Sequence, residues 1–166
     1  MLQVALTNAE HRAWAAFFVA NGLMAKRIDK ALLTAGVVTL EVYDVLLQLE
    51  MADGQRMRMC ELAESVLLSR SGLTRLADRL EREGFIERLA CPRDRRSTHV
   101  ALTPSGLSER ERAWPVYREV IAEEFAGNLE PGDAEAIAYT FLRLCERLGH
   151  PLVFGDGPGG CGIHDA

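Results

Sequence analysis

Apolar and polar positions along this chain follow two rhythms, one of period near 3.6 and one near 2, and the change between them outlines the elements. From Asn8 to Leu33, Trp14, Phe17, Phe18, Met24 and Ile28 recur at helical intervals behind Thr7 and Glu10, which have capping-box spacing. This apolar stripe is wider than one small domain would cover. A second helix is predicted from Thr39 to about Met51, with Val42, Leu46 and Leu49 apolar, ending near Asp53-Gly54. Between Arg58 and Gly84 the pattern is that of two shorter helices joined by a tight turn. Leu62, Ala63 and Val66 form the first apolar face, and Leu73, Leu76, Ala77 and Leu80 form the second. Ser69 is placed to cap the second helix, and Gly84 supplies the left-handed residue that often follows one.

The rhythm then shortens. Phe85 to Leu89 (FIERL) and Thr98 to Leu102 (THVAL) are short, partly alternating and rich in β-branched or aromatic residues, as half-buried strands are. Helical spacing returns after Thr103, a cap, and Pro104, which is tolerated at the first helical position. Pro115 lies inside this long helix and is expected to bend it, because it lacks an N–H and collides with the preceding turn. A last helix, about Pro131 to Leu148, carries Ala134, Ile137, Ala138, Phe141, Leu142 and Cys145. The glycine-rich tail from residue 150 is expected to be flexible, since such composition loses much entropy on ordering.

Two segments carry candidate chemistry. The turn between the strands, within PRDRRSTHVALT, holds Arg93, Asp94, Arg95 and Arg96 in four consecutive positions. Arginine forks at a hairpin tip suit phosphate oxygens or a narrow minor groove, and the aspartate can hold one guanidinium in place. On the preceding helix, 100° steps put Ser71, Arg75, Asp78 and Arg82 opposite the apolar face, with Thr74 and Arg79 flanking it. Small hydroxyls at a helix N-terminus followed by arginines can approach a duplex closely, so Ser69, Arg70, Ser71, Thr74, Arg75 and Arg79 are the candidate base and backbone contacts. Either segment alone also fits a solvated surface hairpin or an ordinary amphipathic helix.

Helix, helix and a hairpin ending in DRRSTHVALTPSG together resemble the winged helix-turn-helix of the MarR family of bacterial transcription regulators. The segment Asp94-Arg95-Arg96 leading to Leu102-Thr103 and Gly106 is the most distinctive part of the likeness, which extends over roughly residues 8 to 148. The resemblance implies a mainly α fold with a small β-hairpin wing. It also implies dimerisation helices at residues 1–36 and 104–149, a DNA-binding region at 37–103, and the tail beyond. First and last helices of two subunits would interlock into a homodimer, placing two recognition helices roughly 34 Å apart over a pseudo-palindrome.

The overall charge first argues against a polyanion partner, because the formal net charge is −5. Between Arg56 and Arg96, however, ten arginines face seven carboxylates, so that segment is +3 and the remainder −8. Such asymmetry suits a specific duplex binder, with acidic surroundings limiting indiscriminate adhesion. With 166 residues and 48% hydrophobic content the chain can bury a core without staples. No run approaches the roughly 20 apolar residues of a membrane span, and the start lacks the order of a signal peptide. A cytoplasmic protein is expected, with Cys60, Cys91, Cys145 and Cys161 reduced.

In the resembled family, effectors bind between the dimer helices and the winged-helix lobe. The candidate lining here is His11, Trp14, Phe18, Arg27, Tyr43 and Trp114, an aromatic wall with a cation that suits a phenol or aromatic carboxylate. Trp and Phe at helical spacing equally suit a dimer core. Oxidation of a cysteine is the competing mechanism, with Cys91 near Arg93 and Cys60 in the first helix of the motif. Cys161, His164, Asp165 and His150 lack the paired spacing of a metal site, so neither metal nor cofactor is assigned. The chain holds no phosphate loop, HExxH or nucleophile-base set, so no enzyme is read. The expected function is a homodimeric, double-stranded-DNA-binding regulator, a repressor released by a small aromatic effector. The alternatives are a thiol-sensing regulator and a winged helix turned protein-interaction module.

Overall fold

The computed structural model describes residues 5–90, 98–150, 152–154 and 161–163. Helix α1 spans Asn8–Thr34 and begins with the expected capping box. The Thr7 hydroxyl accepts from the Glu10 N–H at 3.2 Å, and the Glu10 carboxylate accepts from the Thr7 N–H at 2.7 Å. These contacts hold the Glu10 carboxyl below its ordinary range. Along this 27-residue helix only Ile28 and Leu32 are buried. Helix α2, Leu40–Met51, is capped by Thr39 and buries Val42, Tyr43, Val45, Leu46 and Leu49. Asp29 of α1 fixes its start by accepting from the Leu40 N–H at 2.9 Å.

A tight turn through Asp53–Gln55 leads into strand β1, Arg56–Arg58, then helix α3, Met59–Ser65. Leu67, in the turn that follows, has a left-handed backbone (φ +54°). Helix α4, Arg70–Arg82, starts with the Ser69 hydroxyl accepting from the Gly72 N–H at 3.1 Å. It buries the four predicted residues Leu73, Leu76, Ala77 and Leu80. Gly84, at φ +77°, turns the chain into strand β2, Ile86–Ala90, which pairs with β3, Thr98–Leu102. The sheet is antiparallel in the order β1-β3-β2, with Arg56 opposite Ala101 and Ile86 opposite Leu102.

The hairpin was legible in the sequence, but β1 was not. Its three residues, Arg-Met-Arg, are too short for a periodic signal, and the pairing partner lies over 40 positions away.

Helix α5, Pro104–Val120, is capped by the Thr103 hydroxyl and continues through Pro115. Helical geometry changes further on, where Ile121–Phe125 widens into a π turn and Ala126–Asn128 tightens into a 3-10 turn. Helix α6, Asp133–Arg147, follows the left-handed Gly132. In the tail, β4 (Leu152–Phe154) and β5 (Cys161–Ile163) form an antiparallel pair, where the glycine-rich composition predicts no order. The tail residues His164 and Asp165 lie outside the described residues.

Two apolar clusters result. The first joins α2, α3, α4, β2 and β3 through Leu46, Leu49, Leu62, Leu73, Leu80, Ile86 and Val100. The second joins α1, α2 and α5 through Ile28, Leu32, Tyr43 and Ala113. Helix α2 contributes to both, so it connects the winged-helix lobe to the long helices. Among the described residues, no helix is long and apolar enough to cross a membrane.

Candidate nucleic-acid interface

Burial of one face of α4 fixes what its other face presents. With Leu73, Leu76, Ala77 and Leu80 in the core, Ser69, Arg70, Ser71, Thr74, Arg75, Asp78 and Arg82 are exposed, as the helical wheel predicts. Ser69 and Ser71 sit with hydroxyls 3.3 Å apart, and the Thr74 hydroxyl donates to the Arg70 carbonyl at 2.8 Å. Arg70 and Arg75 enter no ion pair among the described residues, so the first two turns of α4 present hydroxyls and cations together. This start is also where the orphan N–H groups and positive end of the helix lie.

Arg79 is placed differently. It is half-buried and lines two clefts on the inner edge of α4. One, of about 540 Å³, is shared with Lys26, Asp29, Leu40, Asp44 and Leu68. The other is shared with Val38, Glu83 and Glu109. The first cleft contains Asp44, whose carboxyl is pushed up to about 6 by burial.

Beside the exposed face of α4 is a cleft of about 440 Å³ between α3, α4 and the sheet. Arg58, Arg70 and Arg88 line it with Thr74, Asp78, Thr98 and the exposed Cys60. Arg88 is a residue that sequence reasoning missed. Its guanidinium forms an ion pair with Asp78 at 2.7 Å and donates to Glu81 at 2.9 Å and to the Thr74 carbonyl at 3.3 Å. The available signal was its place in β2: two positions after buried Ile86, it falls on the inward side of a period-two strand. The wing residues Arg93, Asp94, Arg95 and Arg96, with Cys91, lie outside the described residues. Strands β2 and β3 bracket them.

The six candidate effector residues do not converge on one site. Trp14 and Phe18 are exposed on the N-terminal half of α1, with ring centroids 6.0 Å apart, next to Phe17, which packs on Phe141 of α6 at 4.6 Å. His11 is exposed on the same half. Tyr43 is fully buried and stacks on Tyr117, which in turn stacks on Trp114. Tyr43 packs with Ile28, which lies 14 residues beyond Trp14, or about 21 Å along the helix. Arg27 pairs with Glu124 at 2.8 Å.

Residues 38–98 match the family model described as the MarR family. The chain is 30% identical over 80 residues to the uncharacterized HTH-type transcriptional regulator YkoM of Bacillus subtilis, covering 48% of this chain and 51% of that protein. It is 31% identical over 84 residues to the multiple antibiotic resistance protein MarR of Salmonella typhimurium, covering 51% and 58%. It thus spans about half the length of the curated relatives it matches. Among solved structures, AbsC, a MarR family transcriptional regulator from Streptomyces coelicolor, superposes with a TM-score of 0.77 at 29% identity, covering 88% of this chain and 98% of that one. Sco3205, a MarR family regulator from the same organism solved in complex with DNA, gives 0.79 at 26% identity, covering 88% and 91%.

Proposed function

We propose that this chain, which carries a MarR-family winged helix-turn-helix, is a homodimeric regulator of transcription that binds double-stranded DNA at a pseudo-palindromic operator and acts as a repressor. The observation that carries the reading is the exposed face of α4, where Ser69, Arg70, Ser71, Thr74 and Arg75 stand clear of the core beside an arginine-lined cleft. Helix α4 lies in the major groove. Ser71, Thr74 and Arg75 reach base edges, while Arg93, Arg95 and Arg96 follow the backbone or enter the adjacent minor groove. Asp94 holds a wing guanidinium, and Arg79, at the inner edge of the helix, contacts backbone.

Dimerisation through the long helices, residues 1–36 and 104–149, is supported by their uncovered apolar surface. Trp14, Phe18, Val19 and Leu23 of α1, with Tyr139 and Leu144 of α6 and Leu148 beyond its end, are all exposed in one chain. Surface of that kind marks an interface. A small aromatic or phenolic effector releases the dimer from DNA because it binds the DNA-incompetent shape more tightly. Trp14, Phe18 and His11 form one candidate contact group, and Tyr43, Trp114 and Arg27 another. The second reading, release by thiol oxidation, is favoured by one observation: exposed Cys60 lines the cleft beside α4, where an added group meets the duplex.

The test is fluorescence anisotropy on DNA flanking the protein's own gene, titrated with salt against a scrambled duplex, with and without aromatic acids or peroxide. Tight, selective binding whose affinity falls steeply with salt is expected. Equal, weak binding to both duplexes would favour a protein-interaction module instead.

A further inference from the structure

The side chain of Arg88 projects from β2 across the exposed flank of α4, and its acceptors span two turns of that helix. One terminal nitrogen serves both Asp78 and Glu81, at 2.7 and 2.9 Å, and the other reaches the Thr74 carbonyl at 3.3 Å. The Arg88 backbone N–H also donates to Glu81, at 3.3 Å, so the carboxylate grips both main chain and side chain. Thr74 and Glu81 are seven residues apart, about 10 Å along the helix axis. Contacts spread over that length resist both rocking and sliding, which a single ion pair does not.

The charges also matter. Two carboxylates face one guanidinium, whose side chain is only 26% exposed. Such a group has little charge left over for phosphate, unlike Arg70 and Arg75, which enter no ion pair among the described residues. Asp78, which the helical wheel places on the exposed face, is likewise engaged. A planar fork of five donors suits this role, whereas lysine would offer a single compact charge.

We propose that Arg88 is a positioning residue for sequence selectivity. By tying α4 to the wing strand, it sets the angle at which Ser71, Thr74 and Arg75 meet base edges, without itself contacting DNA. The inference rests on the regulatory reading above. Base contacts are short and directional and depend on that angle. Phosphate attraction is long-range and tolerates a few degrees of swing. Releasing the clamp therefore removes selectivity and leaves non-specific binding in place.

The experiment compares affinity for a duplex that the wild-type protein selects from a random pool with affinity for a scrambled duplex, each across a salt series. Arg88→Met is expected to lower the selected-to-scrambled ratio at least about tenfold, a small part of the usual gap between specific and non-specific binding. Its salt slope on the scrambled duplex stays at the wild-type value, whereas loss of a phosphate contact lowers the slope by about 1. Arg88→Lys restores part of the ratio. The second variant, Asp78→Asn with Glu81→Gln, removes the two carboxylate charges that face the guanidinium and moves the net charge the opposite way. Both side chains are more than 40% exposed, so this protein folds. Its ratio falls as in Arg88→Met even though its affinity for the scrambled duplex rises.

An unchanged ratio in both variants, or a slope reduced by about 1 in Arg88→Met, overturns the proposal. A wild-type protein that selects no duplex overturns the regulatory reading itself, and this inference with it.

Discussion

Tyr43 of α2 and Tyr117 of α5 stack face to face, with ring centroids 4.6 Å apart and planes 15° from parallel. Tyr43 is fully buried, and its hydroxyl has no hydrogen bond of ordinary geometry. Burial raises its pKa, and nearby Arg110 opposes the rise only in part. The stack lies in the cluster that α2 shares with α1 and α5, while Val42, Val45, Leu46 and Leu49 of α2 belong to the winged-helix core. The stack therefore joins the winged-helix lobe to the long helices through α2.

Two turns along α2, Glu50 pairs with Arg110 of α5, whose side chain is 6% exposed. Glu50 keeps 24% exposure, and its second oxygen and the Arg110 Nε have no hydrogen-bond partner. Arg110→Met leaves the carboxylate without its cation, and the expected loss is about 3 kcal/mol, the low end for breaking a buried pair. Urea unfolding measures it. Adding Glu50→Leu removes the stranded charge and brings stability back to within about 1 kcal/mol of the parent. If the double variant were as unstable as the single one, the pair would matter for packing rather than charge.

Asp44 sets a pH dependence. Its folded pKa is about 6 against an ordinary 3.8, raised by burial. Between those values the folded chain holds a proton that the unfolded chain has released, so stability falls as pH rises from about 4 to 6. Above that window the buried charge costs up to about 3 kcal/mol, since each tenfold change in proton affinity is worth about 1.4 kcal/mol. Asp44→Asn, a mimic of the neutral acid, is expected to raise Tm at pH 7.5 and to leave it unchanged below pH 4. Thermal melts over that range decide it, and equal melting at pH 7.5 would show that the carboxylate is adequately solvated in its cleft.

Gly106 at the start of α5 packs on the chain that enters β2. A Cβ there would lie 2.1 Å from the Phe85 carbonyl oxygen and 2.9 Å from the Leu102 side chain. The Phe85 carbonyl also accepts from the Thr103 N–H at 3.1 Å, so it is not free to retreat. Gly106→Ala is therefore expected to cost at least about 2 kcal/mol, in the range of overpacked sites. Chemical denaturation checks this, and a neutral result would mean that α5 slides along the sheet without penalty.

How far the sequence revealed this structure depends on the range of each interaction. Thr7, Ser69 and Thr103 act within one helical turn, and these three caps were legible in local sequence, whereas Thr39 was read only as the start of its helix and is its cap. The inward face of α4 was legible because Leu73, Leu76, Ala77 and Leu80 give an unbroken 3.6 period. Strand β1 was not, because only its pairing with β3 makes it a strand. The Arg88 clamp joins β2 to α4 through contacts seven to fourteen positions apart, which a wheel drawn for α4 alone cannot show. The aromatic residues were read as one wall because composition records that Trp, Phe and Tyr are present. It does not record that Trp14 and Tyr43 belong to different contacts.

The recognition and wing arginines are separable by what their loss changes. Arg75 is exposed on the second turn of α4, where a side chain can reach a base edge, and it enters no ion pair among the described residues. Arg75→Ala is expected to weaken binding to the preferred duplex by about 1–3 kcal/mol and to relax base preference at one position. Arg95, in the wing, is proposed to meet phosphate, so Arg95→Ala weakens all duplexes alike and lowers the salt slope by about 1. Anisotropy titrations on a set of single-base variants of the selected duplex, each at several salt concentrations, measure both effects. If Arg95→Ala binds like the parent, the wing does not touch the backbone. If Arg75→Ala loses affinity equally for every variant, Arg75 is a phosphate contact and the base-reading role falls to Ser71 and Thr74.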